Sequence, residues 1–548
     1  MLHARSIRAK NLPVRGKTMR WPTGWSVLLA VCLMTPGAVV FAQSDKPANS
    51  GTTATSKPAS EEEVEQLRRE VAELKATLQK LVEAKAEKGT DGARLVETSA
   101  SPSSTADPTA PATVAEVDTL QKEIDVLQKK ADSGPPATSG WNGEHFYLKS
   151  SDGNFTLMPV GYLNVGYTFY RGDGAPADTF SIQRARFGVQ GNYGKQLDYA
   201  FLFETASALT IRDAYVDFKP WNSLKFMGGQ YKVPFSMEVG TGDTAVEFAD
   251  RSIVTVLYPD AGGGFRAPGV DVHGDLYDGR FQYWGGVFNG KGLLTANTTN
   301  EVETVGRIRF APWSKSEDSI LRGFSFGGSA EHSRSKALAN ELSFSGNLND
   351  GTYTFFPQFR INGGIERYNG FFSFLKGSLG IRGEYTQLLE KRTGIGSFVP
   401  SGVGFNTLPG IQGKGGYAAI SYLLTGEKEP ENALPRVKHP VIGPNSPGES
   451  GGPGWGAWSV KFRYSWLEGR APGITCDATT VPACPITPGI VPSFSDHTDQ
   501  FTAGANWYLN YWVLVKSDFN VDRLINPSVQ GINPRNYYVW LEGVQFRF

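Results

Sequence analysis

Basic side chains recur at every second position in several short segments of this chain. Arg184 and Arg186 alternate with apolar residues in RARFGVQ, and Arg307 and Arg309 do so in TVGRIRF. Guanidinium groups bind oxyanions bidentately and ammonium groups act as point charges, so such rows attract small anions without bond chemistry. Candidates for anion contact are the basic residues that alternate with apolar ones in such segments, together with Lys232 and the basic residues of the connection that follows it. They are Arg184, Arg186, Lys232, Arg251, Arg266, Arg307, Arg309, Arg382, Lys461 and Arg463. Each can equally be neutralised by an opposing carboxylate such as Glu204 or Glu384.

The basic rows lie on segments that alternate like β-strands. In AWSVKFRYSW an aromatic and apolar row opposes the row that holds Lys461 and Arg463, and a two-residue period is that of a strand. A soluble sandwich would alternate too, but rows that end in Trp or Tyr and charges in mid-strand favour a membrane barrel with a water-filled lumen. At roughly 20–25 residues for each strand and its connection, residues 140–548 predict an all-β, transmembrane antiparallel β-barrel of about 16 strands, within the range 16–18.

The amino terminus has the order of an export signal. A basic stretch precedes the apolar run WSVLLAVCLMTPGAVVFA, which Pro36 and Gly37 interrupt. This order predicts a secretory signal peptide over residues 1–42, cut after Ala42. Met19 is an alternative start that gives a signal of more usual length.

Two segments of helical periodicity lie between the signal and the strands. Residues 61–88 follow a linker at 43–60 and carry apolar side chains spaced by three and four, with charged residues between them. This heptad pattern predicts a coiled coil in the periplasm, although a lone amphipathic helix has the same pattern. A second linker at 89–113 leads to a shorter coiled-coil helix predicted over residues 114–131.

Few residues of the exported chain suggest covalent or metal chemistry. Cys476 and Cys484 lie in one short segment, which predicts a disulfide, with two free thiols as the alternative. The histidines after the signal belong to no nucleophile or metal motif: His145, His273, His332, His439 and His497. Lysine plus arginine equals aspartate plus glutamate at 54 each, so no nucleic-acid partner is expected. We therefore expect no catalytic residue, no enzyme activity, no cofactor and no metal.

The chain ends on an alternating strand closed by an aromatic residue. In NYYVWLEGVQFRF the apolar row that ends at Phe546 alternates with Gln545 and Arg547. An open sheet edge in lipid leaves backbone groups unsatisfied, so this strand is expected to pair with the first. Glu542 interrupts the apolar row, which predicts a bulge or a protected subunit contact. Phe548 is predicted to be the signal that the outer-membrane assembly machinery reads.

Several segments together resemble the phosphate-selective porin O and P family. They include FSIQRARFGVQGNYGKQLDYAFLFE, RDAYVDFKP, GGQYKVPFSMEVGTGDTAVEFADRS and GAWSVKFRYSWLEG, in the family's order. The resemblance covers most of residues 141–548. It implies a 16-stranded barrel in the outer membrane of a Gram-negative-type bacterium, assembled as a homotrimer. It also implies inward-folded loops that narrow each pore and basic side chains that draw anions through it.

The constriction is expected in the connection that begins after Lys232-Val233-Pro234-Phe235 and runs to about Pro268. Its charged residues are five acids and two bases: Glu238, Asp243, Glu247, Asp250, Asp260, Arg251 and Arg266. Residues 140–548 as a whole contain 36 basic and 37 acidic side chains. Strong phosphate selectivity needs a basic excess near the narrowest point. The charges therefore predict a water-filled channel for passive diffusion of small hydrophilic solutes and ions, with weak selectivity and an anion or phosphate preference left open.

Other functions fit parts of the same pattern. A barrel that anchors a periplasmic stalk would use the coiled coil of residues 61–88 to contact peptidoglycan. An enzyme built on a barrel would need Ser, His and Asn together at the membrane boundary, for which the sequence has no motif. The polar segment 426–454, rich in proline and glycine, is predicted to be a mobile loop.

Overall fold

The computed structural model describes residues 137–548 apart from several short segments, together with Lys122, Asp125 and Val126. The segments that it leaves out are 173–174, 207, 262–263, 291, 298–299, 340–354, 357–359, 394–406, 444–453, 472–493 and 526–534. Lys122, Asp125 and Val126 are helical and exposed. The predicted signal peptide, both linkers, the coiled coil of 61–88 and the Cys476–Cys484 disulfide lie outside the described residues and stay predictions.

Eighteen antiparallel strands form one sheet in the described chain. The strands are β1 (Ala137–Trp141), β2 (Phe146–Ser150), β3 (Phe155–Arg171), β4 (Thr179–Tyr193), β5 (Leu197–Glu204), β6 (Thr210–Trp221), β7 (Leu224–Lys232), β8 (Arg266–Leu276), β9 (Phe281–Phe288), β10 (Glu303–Phe310), β11 (Phe324–Ala339), β12 (Arg360–Lys376), β13 (Leu379–Thr393), β14 (Thr407–Leu423), β15 (Ala457–Ala471), β16 (Phe494–Tyr508), β17 (Val513–Ile525) and β18 (Arg535–Arg547). No helix of the described residues is long and apolar enough to cross a membrane.

Sixteen of these strands, β3 to β18, close into a barrel. Each pairs with the next in sequence, and β18 pairs back onto β3 with Val544 opposite Val165. Phe548 continues this closure, because its N–H donates to the Gly161 carbonyl at 3.0 Å and its carbonyl accepts from the Gly161 N–H at 3.1 Å. The predicted closing role of the last strand is thus seen directly. The hairpin β1–β2 precedes the barrel and touches it through a short pairing of β2 with β3.

The two faces of the strands differ as the two-residue period predicts. On β15, Val460 and Phe462 are each 44% exposed, whereas Lys461 and Arg463 are 5% and 2% exposed. Apolar rows that face outward on every side of a closed barrel are the signature of contact with hydrocarbon. At one rim, Trp458 and Trp507 stack with ring centroids 5.1 Å apart, as aromatic residues do at a membrane boundary.

Glu542 faces outward without any bulge in its own pairings. The registers of β17 with β18 and of β18 with β3 run through this position without a shift. The Glu542 carboxylate accepts a hydrogen bond from the Ser517 hydroxyl at 2.6 Å, and the Trp540 indole donates to the same hydroxyl at 3.0 Å. The predicted bulge is therefore wrong, and a subunit contact at Glu542 stays a prediction.

The barrel has two distinguishable ends. We call the end where β3 begins and β18 finishes the terminal end, and the opposite one the loop end. Connections at the terminal end are short except for residues 311–323, which join β10 to β11, and residues 424–456, which join β14 to β15. In outer-membrane barrels the short turns face the periplasm, so the terminal end is the periplasmic side.

The connection between β7 and β8, residues 233–265, folds into the barrel and is called the inner loop here. It contains a short helix α1 (Met237–Gly240) and a fully buried 3₁₀ turn (Ile253–Leu257). These pack with the Val233 and Phe235 side chains into an apolar cluster against the inner wall, which includes wall residues Ile365, Leu388, Ile411 and Leu467. Part of the lumen is therefore an apolar core rather than the water-filled interior that the charges in mid-strand predicted.

Candidate ion pathway in the lumen

The Asp243 carboxylate is the centre of the largest charge cluster of the inner loop. It pairs with Arg186 of β4, lies 2.9 Å from Lys232 Nζ and 2.7 Å from an Arg251 nitrogen, and approaches Arg266 at 3.5 Å. Burial opposes ionisation, but these cations, Lys232 foremost, hold the pKa of Asp243 well below its usual range. Four of the predicted basic candidates thus meet at one carboxylate.

Two of the same cations also bind carboxylates of the barrel wall. Arg186 Nε donates to Glu204 at 2.6 Å. Arg266 donates to both oxygens of Asp213, at 2.8 and 3.0 Å, the bidentate geometry that guanidinium favours. Neutralisation of Arg186 by Glu204 is one of the alternatives that the sequence left open.

Glu384, the other wall carboxylate considered as a partner, binds the inner loop instead. Its oxygens accept from the backbone N–H groups of Met237 at 3.2 Å and Glu238 at 2.5 Å, and from the Ser236 hydroxyl at 3.2 Å. It therefore satisfies donors at the start of α1 that have no partner within the helix.

Lys461 and Arg463 hold the inner loop against the wall. Lys461 Nζ donates to the Glu247 carbonyl at 2.7 Å and pairs with Asp518 at 2.7 Å. Arg463 donates to the Asp250 carbonyl at 3.0 Å. Both residues face the lumen as strand parity predicts, but the inner loop covers them. Their role in the structure is to position the loop, not to line open space.

Arg382 and Arg309 are paired with acids from two connections. Arg382 binds Glu247 of the inner loop and lies 2.9 Å from Glu429 of the 424–456 connection. Arg309 lies 2.6 Å from Glu431 of that same connection. These two candidates are therefore committed to carboxylates within the chain.

Arg307 has a different environment from the other candidates. Its guanidinium carbon lies 4.9 Å from the ring centres of both Trp284 and Phe371, a cation–π arrangement on two sides. Among the described residues, no carboxylate lies within ion-pair distance of it, and its Nε has no hydrogen-bond partner. Arg184, which lies opposite Asn164 on the lumen side of β4, likewise has no ion-pair partner within the described part of the chain.

A cavity of about 590 Å³ separates the inner loop from the wall formed by β3 to β10. Its lining includes five cations and three carboxylates: Arg186, Lys232, Arg266, Arg307, Arg547, Asp213, Asp243 and Asp271. Among the side chains that line this cavity, basic groups therefore outnumber carboxylates by two, histidines not counted. Fixed charge of one sign in a narrow aqueous path favours ions of the other sign.

The number of acidic residues in the inner loop differs from the number that line the cavity. Of its five acids, only Asp243 lines the cavity. Glu238 accepts from the Ser252 hydroxyl at 2.6 Å, Asp250 is buried, and Asp260 accepts from the Gly292 N–H at 2.8 Å. The expectation that these five acids weaken anion attraction assumed that all of them face the ion path. Four of them do not line this cavity.

Two further lumen residues that hold the inner loop were not among the sequence candidates. Lys516 Nζ donates to the Val246 carbonyl at 2.5 Å, and the Gln545 amide donates to the Thr244 carbonyl at 3.0 Å. Both belong to the polar rows of alternating strands, so the strand parity that found Arg463 could have found them. The described residues contain no group of three or more His, Cys, Asp or Glu side chains able to hold a metal ion.

A closed sixteen-stranded barrel with an apolar outer face, an inward-folded loop and a charged lumen defines an outer-membrane channel. The family model described as phosphate-selective porin O and P matches residues 161–521. The chain belongs to this family. It is a transmembrane β-barrel porin of the outer membrane.

Solved structures with similar folds are outer-membrane proteins. OmpT of Vibrio cholerae has a TM-score of 0.45 and 12% identity, covering 72% of this chain and 98% of its own. The channel DcaP of Acinetobacter baumannii has a TM-score of 0.42 and 11% identity over 73% of this chain and 99% of its own. Salmonella typhi OmpF in complex with daunomycin has a TM-score of 0.42 and 12% identity, covering 75% of this chain and 100% of its own. No curated protein matches the chain in sequence. At these scores the assignment rests on the strand pairing and the family match.

Proposed function

We propose that the channel carries small hydrophilic solutes and ions by passive diffusion, with a preference for anions that include phosphate. The observation that carries this preference is the basic excess of the cavity lining, which includes Arg307, a residue with no carboxylate partner among the described residues. A cation of this kind attracts an anion without first releasing an internal partner. Binding remains weak enough for release because one guanidinium replaces only part of the anion's hydration.

Arg307→Gln should reduce the preference for anions over cations. Removal of one unit charge about 4 Å from a passing ion costs about 1 kcal/mol in water, and we expect the permeability ratio to fall about three- to fivefold. Reversal potentials in planar bilayers under a salt gradient measure this ratio. Competition of chloride current by phosphate in the same bilayers tests whether phosphate uses the same path.

Arg334→Gln is the matched control for Arg307→Gln. It makes the same change in charge, but Arg334 is exposed near the loop end of β11 and pairs with Glu301 at 3.1 Å. Its permeability ratio should equal that of the unmodified channel. Equal ratios for the two variants, or a cation preference of the unmodified channel, would remove the anion proposal.

We further propose that the channel is a homotrimer in outer-membrane lipid and that the assembly machinery reads Phe548. Support for the second point comes from the position of Phe548, which ends the closing strand and exchanges two backbone hydrogen bonds with Gly161. Peptidoglycan contact by the predicted coiled coil remains part of the same proposal. Cross-linking of the membrane-inserted protein tests the oligomer.

Deletion of Phe548 should lower the amount of folded barrel in the outer membrane severalfold, because both the aromatic end and the closing hydrogen bonds are lost. Phe548→Tyr keeps the backbone and the ring and should assemble normally. The measurement is the heat-modifiable mobility of the barrel in membrane fractions on gels. Normal insertion of the deletion variant would contradict the assembly role.

A further inference from the structure

The lumen wall formed by β3, β4 and β5 has apolar side chains at positions where strand parity predicts polar ones. Val160, Ala200 and Leu202 all line the cavity of about 590 Å³. Gly188 of β4 lies opposite both Val160 and Leu202 in the strand registers, and Gln190 lies opposite Ala200. Because glycine has no side chain, no side chain of β4 stands between Val160 and Leu202. We call Val160, Ala200 and Leu202 the lumen patch.

The packing of the inner loop does not account for the lumen patch. None of its three residues is among the described members of the apolar cluster that holds the inner loop against the wall. Covering apolar surface that otherwise faces water is favourable. The lumen patch therefore fits the apolar part of a solute inside the cavity.

Two polar groups beside the lumen patch have donors without acceptors. Tyr162 lies two residues after Val160 on β3, is 7% exposed and lines the same cavity, and its hydroxyl has no hydrogen-bond partner within the described part of the chain. Arg547 lies opposite Tyr162 on β18 and also lines the cavity. Its terminal nitrogen Nη2 is buried and has no partner among the described residues either. Because buried donors are normally satisfied, both groups indicate an acceptor that comes from outside the chain.

Arg547 carries a positive charge that no described carboxylate neutralises. Its Nε donates to the Tyr511 carbonyl at 3.0 Å, and its guanidinium carbon lies 3.8 Å from the centre of the Tyr511 ring. Among the described residues it belongs to no ion pair. Asp243, the inner-loop acid of the same cavity, already pairs with four other cations. An anion that reaches Arg547 therefore has no internal carboxylate to displace.

We propose that Arg547, Tyr162 and the lumen patch form a binding site for small monocarboxylates with an apolar body, for which benzoate is a simple probe. The carboxylate accepts hydrogen bonds from the Arg547 guanidinium and the Tyr162 hydroxyl, and the apolar body covers the lumen patch. The proposal rests on the channel function proposed above and names a class of solute for it. Phosphate has no apolar part and would lose hydration against the lumen patch, so it binds less well at this site.

Benzoate and acetate carry the same charged group and differ in the ring, so comparing them isolates the contribution of the lumen patch. Each acid is added at neutral pH to a chloride solution that bathes the full-length protein in a planar bilayer. The measurement is the concentration that halves the single-channel chloride current. We expect this concentration to be about tenfold lower for benzoate than for acetate, because the ring leaves water on the lumen patch.

Leu202→Asn should reduce the tenfold difference between the two acids to about two- or threefold, because it makes the lumen patch polar at nearly constant size. The value for acetate should stay near that of the unmodified channel. Leu294→Asn is the matched control, because Leu294 is 58% exposed in the connection between β9 and β10 and does not line the cavity. The control should keep the full difference between the acids.

Tyr162→Phe removes only the hydroxyl and keeps the ring. It should raise the half-blocking concentrations of benzoate and acetate by the same factor, about two- to fivefold, because both acids lose the same hydrogen bond. A change confined to benzoate would contradict the assignment of the carboxylate to Tyr162. Heat-modifiable gel mobility shows that each variant barrel is folded.

The two proposals fail in different ways. If the unmodified full-length protein forms no channel or prefers cations, the proposed function is wrong. If it conducts and prefers anions, two results remove the monocarboxylate site while the channel function stands. One is block by benzoate and acetate at equal concentrations, and the other is the same difference between the acids in Leu202→Asn as in Leu294→Asn.

Discussion

Asp243→Asn increases the preference of the channel for anions. The substitution keeps the size and polarity of the side chain but removes the only inner-loop acid that lines the cavity, so the basic excess of the lining rises from two to three charges. In this variant Arg186 and Arg266 still form their ion pairs with carboxylates of the barrel wall. Lys232, by contrast, forms its ion pair with Asp243 in the structure. Lys232 then loses this ion pair but keeps its hydrogen bond to the Thr241 carbonyl at 2.9 Å.

The expected size of the Asp243→Asn effect follows from Coulomb's law. Unit charges 4 Å apart interact by about 1 kcal/mol in bulk water and by about 4 kcal/mol at an effective dielectric constant of about 20. Even the lower value corresponds to about a fivefold change in the ratio of anion to cation permeability. Reversal potentials under a salt gradient measure it. The depressed pKa of Asp243 means that its carboxylate is ionised at neutral pH in the unmodified channel.

Asp260→Asn is the control within the same loop. It removes one negative charge as well, but Asp260 contacts Gly292 and does not line the cavity. Its permeability ratio should stay near that of the unmodified channel. An unchanged ratio for Asp243→Asn, or a shift toward cations, would show that the cluster does not border the ion path.

The barrel could be predicted from the sequence because the alternation of side chains along each strand is a local pattern. A two-residue period assigns each side chain of a strand to one face, and the row of Lys461 and Arg463 needs no knowledge of distant residues. Closure by β18 follows from the cost of an open edge in lipid. The predicted connection, from after Phe235 to about Pro268, overlaps the inner loop, which begins after Lys232 and ends at Phe265, just before β8 begins at Arg266.

The partners of the charged residues could not be predicted in the same way. Arg463 binds the Asp250 carbonyl and Arg382 binds Glu429, and nothing in local spacing encodes contacts between separate connections and the wall. The number of acids in the inner loop therefore does not give the charge of the cavity lining. One missed signal was present, because the apolar run IVTVL inside a connection between strands indicates a loop that packs on a core.

Arg367 provides the prediction with the largest expected effect on stability. Its side chain is 1% exposed and lies 2.6 Å from the fully buried Glu331 carboxylate, and its Nε donates to the Leu257 carbonyl at the end of the 3₁₀ turn at 2.9 Å. Loss of one partner of a buried ion pair leaves an uncompensated charge and costs about 3–5 kcal/mol. Arg367→Met should therefore lower the urea midpoint of barrel unfolding and loosen the inner loop.

The double variant Arg367→Met with Glu331→Gln separates lost charge balance from lost packing. It removes both charges of the pair, so it should recover part of the stability that Arg367→Met loses. Urea titration of the folded barrel, followed by heat-modifiable gel mobility and tryptophan fluorescence, gives the midpoints. Arg334→Gln, an exposed pair on the same strand as Glu331, should leave the midpoint unchanged. If Arg367→Met is as stable as the unmodified protein, the buried pair of Arg367 and Glu331 contributes nothing to the stability of the barrel.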